Sequence, residues 1–261
     1  MKKTLIMTSI AFVLLLAVVA AGLNVIFTIS YIEASFSTFS LQGEEEAQSL
    51  KAELDGFVGD SMTFLKLDSV KEKVKKYPGF RIESVKKKFP KTVQVSVTER
   101  RELFAYEMQD GKYAMIDTEG VCVRISEENV SRTGGENILL KNFTLTAKVG
   151  AKVQGAYSDA LLNAFSGFGA YIADARANVR EVALKIGGSA SNPMTHFFEI
   201  EMQEGVMIEM NDPLSRADEK AKAAMEKYNE LGDIDKMYGA IAVGEDRQSG
   251  KINAVYDPIR V

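Results

Sequence analysis

The chain has 261 residues, of which 46% are hydrophobic and 26% are charged, and its formal net charge is −4. This length and composition suffice for one large or two modest domains with a core of their own, so the chain need not be disordered. The single cysteine, Cys122, excludes an internal disulfide, and the single histidine, His196, leaves no cluster of histidines or cysteines for a zinc site.

The first predicted element is an apolar segment from Leu5 to Phe27 that contains no charged residue. At ~1.5 Å per residue, a helix of this length reaches ~35 Å, which is enough to cross the hydrocarbon layer of a membrane. We therefore predict a cytoplasmic tail over residues 1–4, a transmembrane helix over 5–27 and a tether over 28–34.

The charges that flank this segment predict its orientation. Lys2 and Lys3 precede it and Glu33 follows it, so the positive-inside rule predicts a single-pass protein of the cytoplasmic membrane with its N-terminus inside and its bulk outside. A cleaved signal peptide is the alternative, because the basic start and the small residues near Ala20 fit its charged region and cleavage site.

The next predicted elements, up to residue 102, are a strand, two helices and two strands. Ser35 to Leu41 predicts the strand, and a helix follows Gly43 with three glutamates in its first turn, where the helix dipole favours negative charge. The second helix begins near Asp68 and ends at Tyr77, because Pro78 disfavours the helical conformation of the residue before it.

A hairpin closes this region. The segment from Phe89 to Thr92 has Pro90 at the second position of a tight turn, where its fixed φ fits. Beyond the turn, valines alternate with polar residues up to Glu99, which is the period of a strand with one buried face.

The rest of the chain is rich in predicted strands. Asp110 and Gly111 indicate a hairpin, and two helices are predicted over 158–172 and 214–231. The predicted strands cover residues 103–108, 112–116, 121–125, 179–186, 197–202, 206–210, 238–243 and 251–256.

This order of elements resembles the polypeptide-transport-associated (POTRA) domain of the FtsQ/DivIB family of bacterial cell-division proteins. The strongest motif is the segment from Phe89 to Arg100, and a second is the turn from Ile116 to Gly120. Arg101 and Glu102 depart from the family, which often has proline there. The residues that match family motifs, all expected to have structural roles, are Gly43, Pro78, Phe89, Pro90, Thr92, Glu99, Arg100, Asp117, Gly120 and Lys220.

The resemblance implies an α+β fold with one N-terminal transmembrane helix, a POTRA-like domain over 35–102 and a mixed β-sheet domain with two or more helices over 103–261. It also implies a scaffold at the division septum that helps regulate septal wall synthesis. The implied partners are FtsB/DivIC-like and FtsL-like bitopic division proteins, which would pair with a strand edge. The expected docking residues are Ile252, Asn253, Ala254, Val255 and Tyr256.

No reaction centre is evident in the sequence, so we expect no catalytic residue, no metal, no cofactor and no enzymatic activity. Cys122 and His196 are interpreted as residues of strands. Two alternatives remain: a secreted or tethered extracytoplasmic binding module for peptide or wall polymer, and a membrane-tethered Ser-Lys hydrolase that uses Ser61.

A basic stretch runs from Lys66 to Arg101, with twelve Lys and Arg residues against four Asp and Glu residues. The stretch would attract anionic lipid or wall polymer, whereas nucleic acid is not expected as a partner. The alternative is an ordinary solvated surface, because salt screens exposed lysines.

Overall fold

The computed structural model shows an α+β protein that divides into two compact units, one that ends at Glu99 and one that begins at Arg100. The sequence had suggested a boundary after residue 102. The structure describes residues 10–16, 18, 22, 26–189, 192–246 and 248–259.

About half of the predicted transmembrane helix, residues 5–27, lies outside the described residues. Among the residues that are described, no helix is both long enough and apolar enough to cross a membrane. The longest named helix has 15 residues, or ~22 Å, and a membrane span needs about 20 apolar residues. The predictions of a transmembrane helix and of a single-pass location in the cytoplasmic membrane are therefore wrong on this finding.

The first unit contains a three-stranded sheet and two helices. Strand β3 lies in the middle, parallel to β1 and antiparallel to β2, so the predicted hairpin is confirmed. In chain order the elements are β1 (Tyr31–Ser37), α1 (Leu41–Asp55), α2 (Leu67–Lys75), β2 (Phe80–Lys88) and β3 (Thr92–Glu99).

The core of the first unit lies between this sheet and the two helices. Val93, Val95 and Val97 are buried on one face of β3, as their alternation predicts. They pack in one cluster with the apolar residues of α1 and α2. Ile29 and Ile32 belong to the same core, so the segment predicted as a tether includes the start of β1, which lies four residues earlier than the predicted strand.

The second unit is built on a nine-stranded mixed sheet. Its spatial order is β12-β11-β10-β9-β8-β7-β4-β5-β6. The strands are β4 (Glu102–Glu107), β5 (Tyr113–Asp117), β6 (Cys122–Ser126), β7 (Ile138–Lys141), β8 (Val179–Ser189), β9 (Asn192–Met202), β10 (Met207–Asn211), β11 (Ala240–Glu245) and β12 (Ile252–Asp257).

Two helices pack on this sheet, α3 (Ser158–Phe168) and α4 (Ala217–Glu230), and a short 3-10 helix covers Asp235–Met237. Phe165 of α3 contacts Phe104 of β4 edge to face, with ring centroids 4.7 Å apart. Helix α4 packs against α3 and lies over β10, β11 and β12. In the strand order given above, β6 and β12 are the two edges of the sheet.

Candidate partner-binding edge

Strand β12 contains the five predicted docking residues and lies at one edge of the second sheet. It is antiparallel to β11, with Ala242 opposite Val255 and Val243 opposite Ala254. Within the described residues, β11 is the only strand that pairs with it. The other side of β12 is therefore an open edge.

The register shows which main-chain groups face the open side. Glu245 is opposite Ile252, so Asp246 is opposite Lys251, and the Asp246 N–H donates to the Lys251 carbonyl at 2.8 Å. Hydrogen-bonded and non-hydrogen-bonded pairs alternate along an antiparallel ladder. Every second residue of β12 therefore directs its N–H and C=O away from β11, and these residues are Ile252, Ala254 and Tyr256.

The side chains of β12 alternate in the other direction, between the two faces of the sheet. Ala254 and Tyr256 pack against the core on the face covered by α4, and the Tyr256 hydroxyl donates to the carbonyl of Asp235 at 3.1 Å. On the opposite face Asn253 is exposed and Val255 is 61% exposed. The open main chain and the exposed side chains are thus supplied by different residues.

The other sheet edges are less suited to an incoming strand. The start of β6 is covered, because the Cys122 N–H donates to the Ala151 carbonyl and its own carbonyl accepts from Gly150. Strand β2 has a bulge and a run of lysines, and β1 has Glu33 near its middle. Charges and bulges discourage strand pairing at an edge. Strand β12 has no charged residue from Ile252 to Tyr256.

A cleft of about 690 Å³ lies in the second unit, at the end of the sheet where β10 and β11 end. Lys220, in the first turn of α4, is only 1% exposed and donates from Nζ to the carbonyls of Asn211 at 3.0 Å and Asp212 at 2.7 Å. Burial lowers the pKa of the Lys220 ammonium below its usual value. This lysine, which matches a family motif, therefore holds the turn after β10.

The other ionisable groups of the cleft also have contacts within the fold. Glu245 forms an ion pair with Arg216 at 3.3 Å. The ring of His196 lies against that of Tyr157, with centroids 5.3 Å apart, and the His196 carbonyl accepts from the Asp212 N–H. Sequence reasoning placed His196 in a strand but missed the cleft, because its walls come from segments far apart in the chain.

The motif residue Glu99 organises the first unit. Its carboxylate is 3% exposed and accepts from the N–H of Phe39 at 2.5 Å, the N–H of Ser40 at 3.0 Å and the hydroxyl of Ser40. The Ser40 hydroxyl in turn caps α1 by accepting from the Gly43 N–H at 2.9 Å. A Cβ at Gly43 would lie 2.3 to 2.6 Å from the Glu99 carboxylate, so only glycine permits this approach.

The next motif residue, Arg100, organises a turn of the second unit. Its guanidinium donates to Asp117, and to Glu119 at 2.7 Å. Asp117 is buried and accepts from the N–H of Glu119 at 2.9 Å and of Val121 at 2.7 Å. Gly120 completes the turn with a φ of +82°, which L-residues with a side chain rarely adopt. The predicted turn is therefore built around Arg100 and Asp117.

The remaining motif residues define two turns of the first unit. Pro78 lies in a turn closed by the Phe80 N–H, which donates to the Tyr77 carbonyl at 2.9 Å. The bond between Phe89 and Pro90 is cis, and the Phe89 ring packs edge to face on Phe27. Thr92 is buried at the start of β3. None of these residues lies in the second unit with β12.

Acidic side chains and a main-chain carbonyl engage several lysines of the basic stretch. Lys73 and Lys76 both approach Glu53, at 3.3 and 3.6 Å, and Lys87 donates to the Met62 carbonyl at 2.6 Å. Further ion pairs join Lys71 to Asp68, Lys75 to Glu72 and Lys88 to Glu33. Of these acidic residues, Glu53 and Glu33 come from outside the stretch and reduce its positive charge, whereas Asp68 and Glu72 are already among its four acidic residues.

Cys122 was interpreted as a strand residue, and Ser61 was the residue of the hydrolase alternative. Burial raises the pKa of Cys122 to about 11, so its thiol stays protonated at neutral pH. Ser61 forms a β-bridge with Thr28. In the described part of the chain, no three His, Cys, Asp or Glu residues come together as a metal site.

Comparison with models of known protein families finds no match, and a search of curated proteins finds no significant match either. The resemblance to the FtsQ/DivIB family therefore remains a hypothesis that rests on the motif residues.

Proposed function

We propose that the protein is a non-enzymatic scaffold of the bacterial division machinery, of the FtsQ/DivIB type. It recruits FtsB/DivIC-like and FtsL-like partners by strand pairing at β12, and in this way it helps to regulate septal wall synthesis. The motif residues described above support the choice of family. The choice of the site rests on the edge itself.

The open, uncharged edge of β12 is the observation that carries this proposal. An incoming strand would pair with the outward main-chain groups of Ile252, Ala254 and Tyr256. Main-chain pairing supplies affinity in this mode of recognition, and side chains that alternate between the faces supply selectivity. In this proposal the side chains of Asn253 and Val255, which are exposed, make that selection.

Replacing Ala254 with proline tests the site by removing one main-chain N–H donor. The Ala254 N–H points away from β11, so Ala254→Pro removes a donor for the partner and no hydrogen bond within the sheet. We expect at least a tenfold loss of affinity for the FtsB/DivIC-like protein of the same cell, corresponding to about 1.4 kcal/mol. The measurement is calorimetry of the purified pair, with co-purification as a second readout.

Lys222→Met is the control, because it changes an exposed side chain of the same unit outside β12 and leaves every main-chain donor of the strand in place. This variant should bind within about threefold of the unchanged chain. Full binding by a folded Ala254→Pro variant, with its circular dichroism spectrum unchanged, would refute β12 as the docking strand.

The cleft supports a second candidate function, a binding module for peptide or wall polymer. Clefts of this size with a few polar groups are typical of small-ligand sites. An NMR titration with a wall peptide tests this function. Chemical-shift changes at Tyr157 and His196, without changes in β12, would favour it over the scaffold.

A further inference from the structure

We infer that the open edge of β12 also pairs with the same edge of a second copy of this chain, so that the protein forms a two-fold symmetric dimer in the absence of its partner. This inference uses the same edge as the proposed function but does not depend on the identity of the partner. It is carried by the register of β12 and by the charges at the two ends of the strand.

The main-chain groups of two such edges match in an antiparallel arrangement centred on Ala254. Ala254 then lies opposite Ala254 of the second copy, and Ile252 lies opposite Tyr256. These are the residues whose N–H and C=O groups point outward. Because outward groups meet outward groups, all three pairs are hydrogen-bonded pairs of an antiparallel ladder.

The same register brings opposite charges together. Lys251 lies opposite Asp257 of the second copy, and the two-fold axis repeats this pair at the other end. Both side chains project from the exposed face of the sheet, together with Asn253 and Val255. Pairs without main-chain hydrogen bonds have Cβ atoms about 4.5 to 5.5 Å apart, so each lysine and aspartate can form a direct ion pair.

The centre of the strand permits close approach of the second copy. Ala254 is the residue on the axis, and its small side chain lies on the face covered by α4. A single added strand buries little surface compared with a stable interface of ~1,200 to 2,000 Å², so the dimer should be weak and concentration-dependent. A partner strand and a second copy need the same donors and acceptors, so they exclude each other.

Sedimentation of the full chain over a range of concentrations tests the dimer, and charge reversal tests its register. We expect a monomer–dimer equilibrium that Ala254→Pro weakens by at least tenfold. Lys251→Glu should weaken it by about tenfold, because two pairs become repulsive. Lys251→Glu combined with Asp257→Lys restores both attractive pairs, so this double variant should dimerise within about twofold of the unchanged chain.

A chain that stays monomeric up to about 1 mM would overturn the inference, as would a dimer that is insensitive to Ala254→Pro. Failure of the double variant to recover would overturn the register centred on Ala254. The outcomes for the two proposals are distinguishable. If the Ala254→Pro variant no longer dimerises but still binds the FtsB/DivIC-like protein fully, the docking site is refuted and the inferred dimer interface is supported.

Discussion

Replacing Glu99 with alanine is expected to lower the free energy of unfolding of the first unit by about 3 to 5 kcal/mol. The carboxylate accepts from the N–H groups of Phe39 and Ser40 and from the Ser40 hydroxyl, and each of these donors loses its acceptor in a poorly solvated place. Denaturant unfolding followed by circular dichroism measures the loss, and amide exchange at Val95 assigns it to the first unit.

Because Gly43 lies close to Glu99, we expect Gly43→Ala to destabilise the unchanged chain but to stabilise the Glu99→Ala variant. In the unchanged chain, Gly43→Ala places a Cβ 2.3 to 2.6 Å from the carboxylate and should cost about 1 to 3 kcal/mol. In the Glu99→Ala background this obstacle is absent, and alanine in place of glycine in a helix should gain about 0.5 kcal/mol. Equal costs in both backgrounds would contradict the contact.

An exposed glutamate of the same unit supplies the control for these variants. Glu72 is 66% exposed and pairs with Lys75 on the surface of α2. Such pairs contribute little, so Glu72→Ala should change stability by no more than about 0.5 kcal/mol.

Lys220→Met should destabilise the second unit by about 2 kcal/mol. Methionine keeps the length of the side chain but leaves the carbonyls of Asn211 and Asp212 without their donor. The release of a buried charge offsets part of this loss, because burial already disfavours the ammonium. Lys222→Met is the control on the same helix, where the lysine is exposed and pairs with Asp218. Denaturant unfolding of both variants gives the comparison.

The pH dependence of the Lys220→Met effect has a definite sign. Burial lowers the folded-state pKa of Lys220 below its unfolded value near 10.5. At pH values between these two pKa values, the Lys220 amine is more fully protonated in the unfolded chain than in the folded chain. Stability rises with pH wherever the unfolded state binds more protons. The unchanged chain should therefore gain stability relative to Lys220→Met as the pH approaches 10.5. If the free energy of unfolding of the unchanged chain instead falls toward that of Lys220→Met in this pH range, the ammonium is not buried in the folded state.

Elements with local signals could be predicted from the sequence. The hairpin of β2 and β3 follows from a proline turn and from alternating valines whose buried face depends only on their spacing. The turn after β5 follows from Asp117 and Gly120, which bond to residues two to four positions away. In both cases neighbouring residues set the local conformation, although Arg100 adds a bond to Asp117 from outside the turn.

Elements that depend on distant residues could not be predicted. Phe39 and Ser40 fit the alternating pattern of a strand, yet their N–H groups bond to Glu99, sixty and fifty-nine residues away, and α1 begins directly after them. Strand β7 has only four residues, too few for a clear alternation, and it exists because β4 and β8 pair with it on either side.

For the candidate site, too, the strand itself could be predicted from local sequence, whereas its position in the sheet could not. Alternation in the segment from Lys251 to Tyr256 predicts a strand, and the structure has β12 there. Its position at the edge depends on the order of nine strands, which no local pattern encodes. The direction of its main-chain groups depends further on the pairing of Lys251 with Asp246.

Amide hydrogen exchange along β12, measured with and without the FtsB/DivIC-like protein, tests the docking edge most directly. In the unbound chain, at a concentration low enough to keep it monomeric, the amides of Asn253 and Val255 should be protected by β11, and those of Ile252, Ala254 and Tyr256 should exchange quickly. The partner should slow the exchange of these three amides by at least tenfold and leave the other two unchanged. Slowing that spares Ala254, or that occurs around the Lys220 cleft instead, would contradict strand pairing at β12.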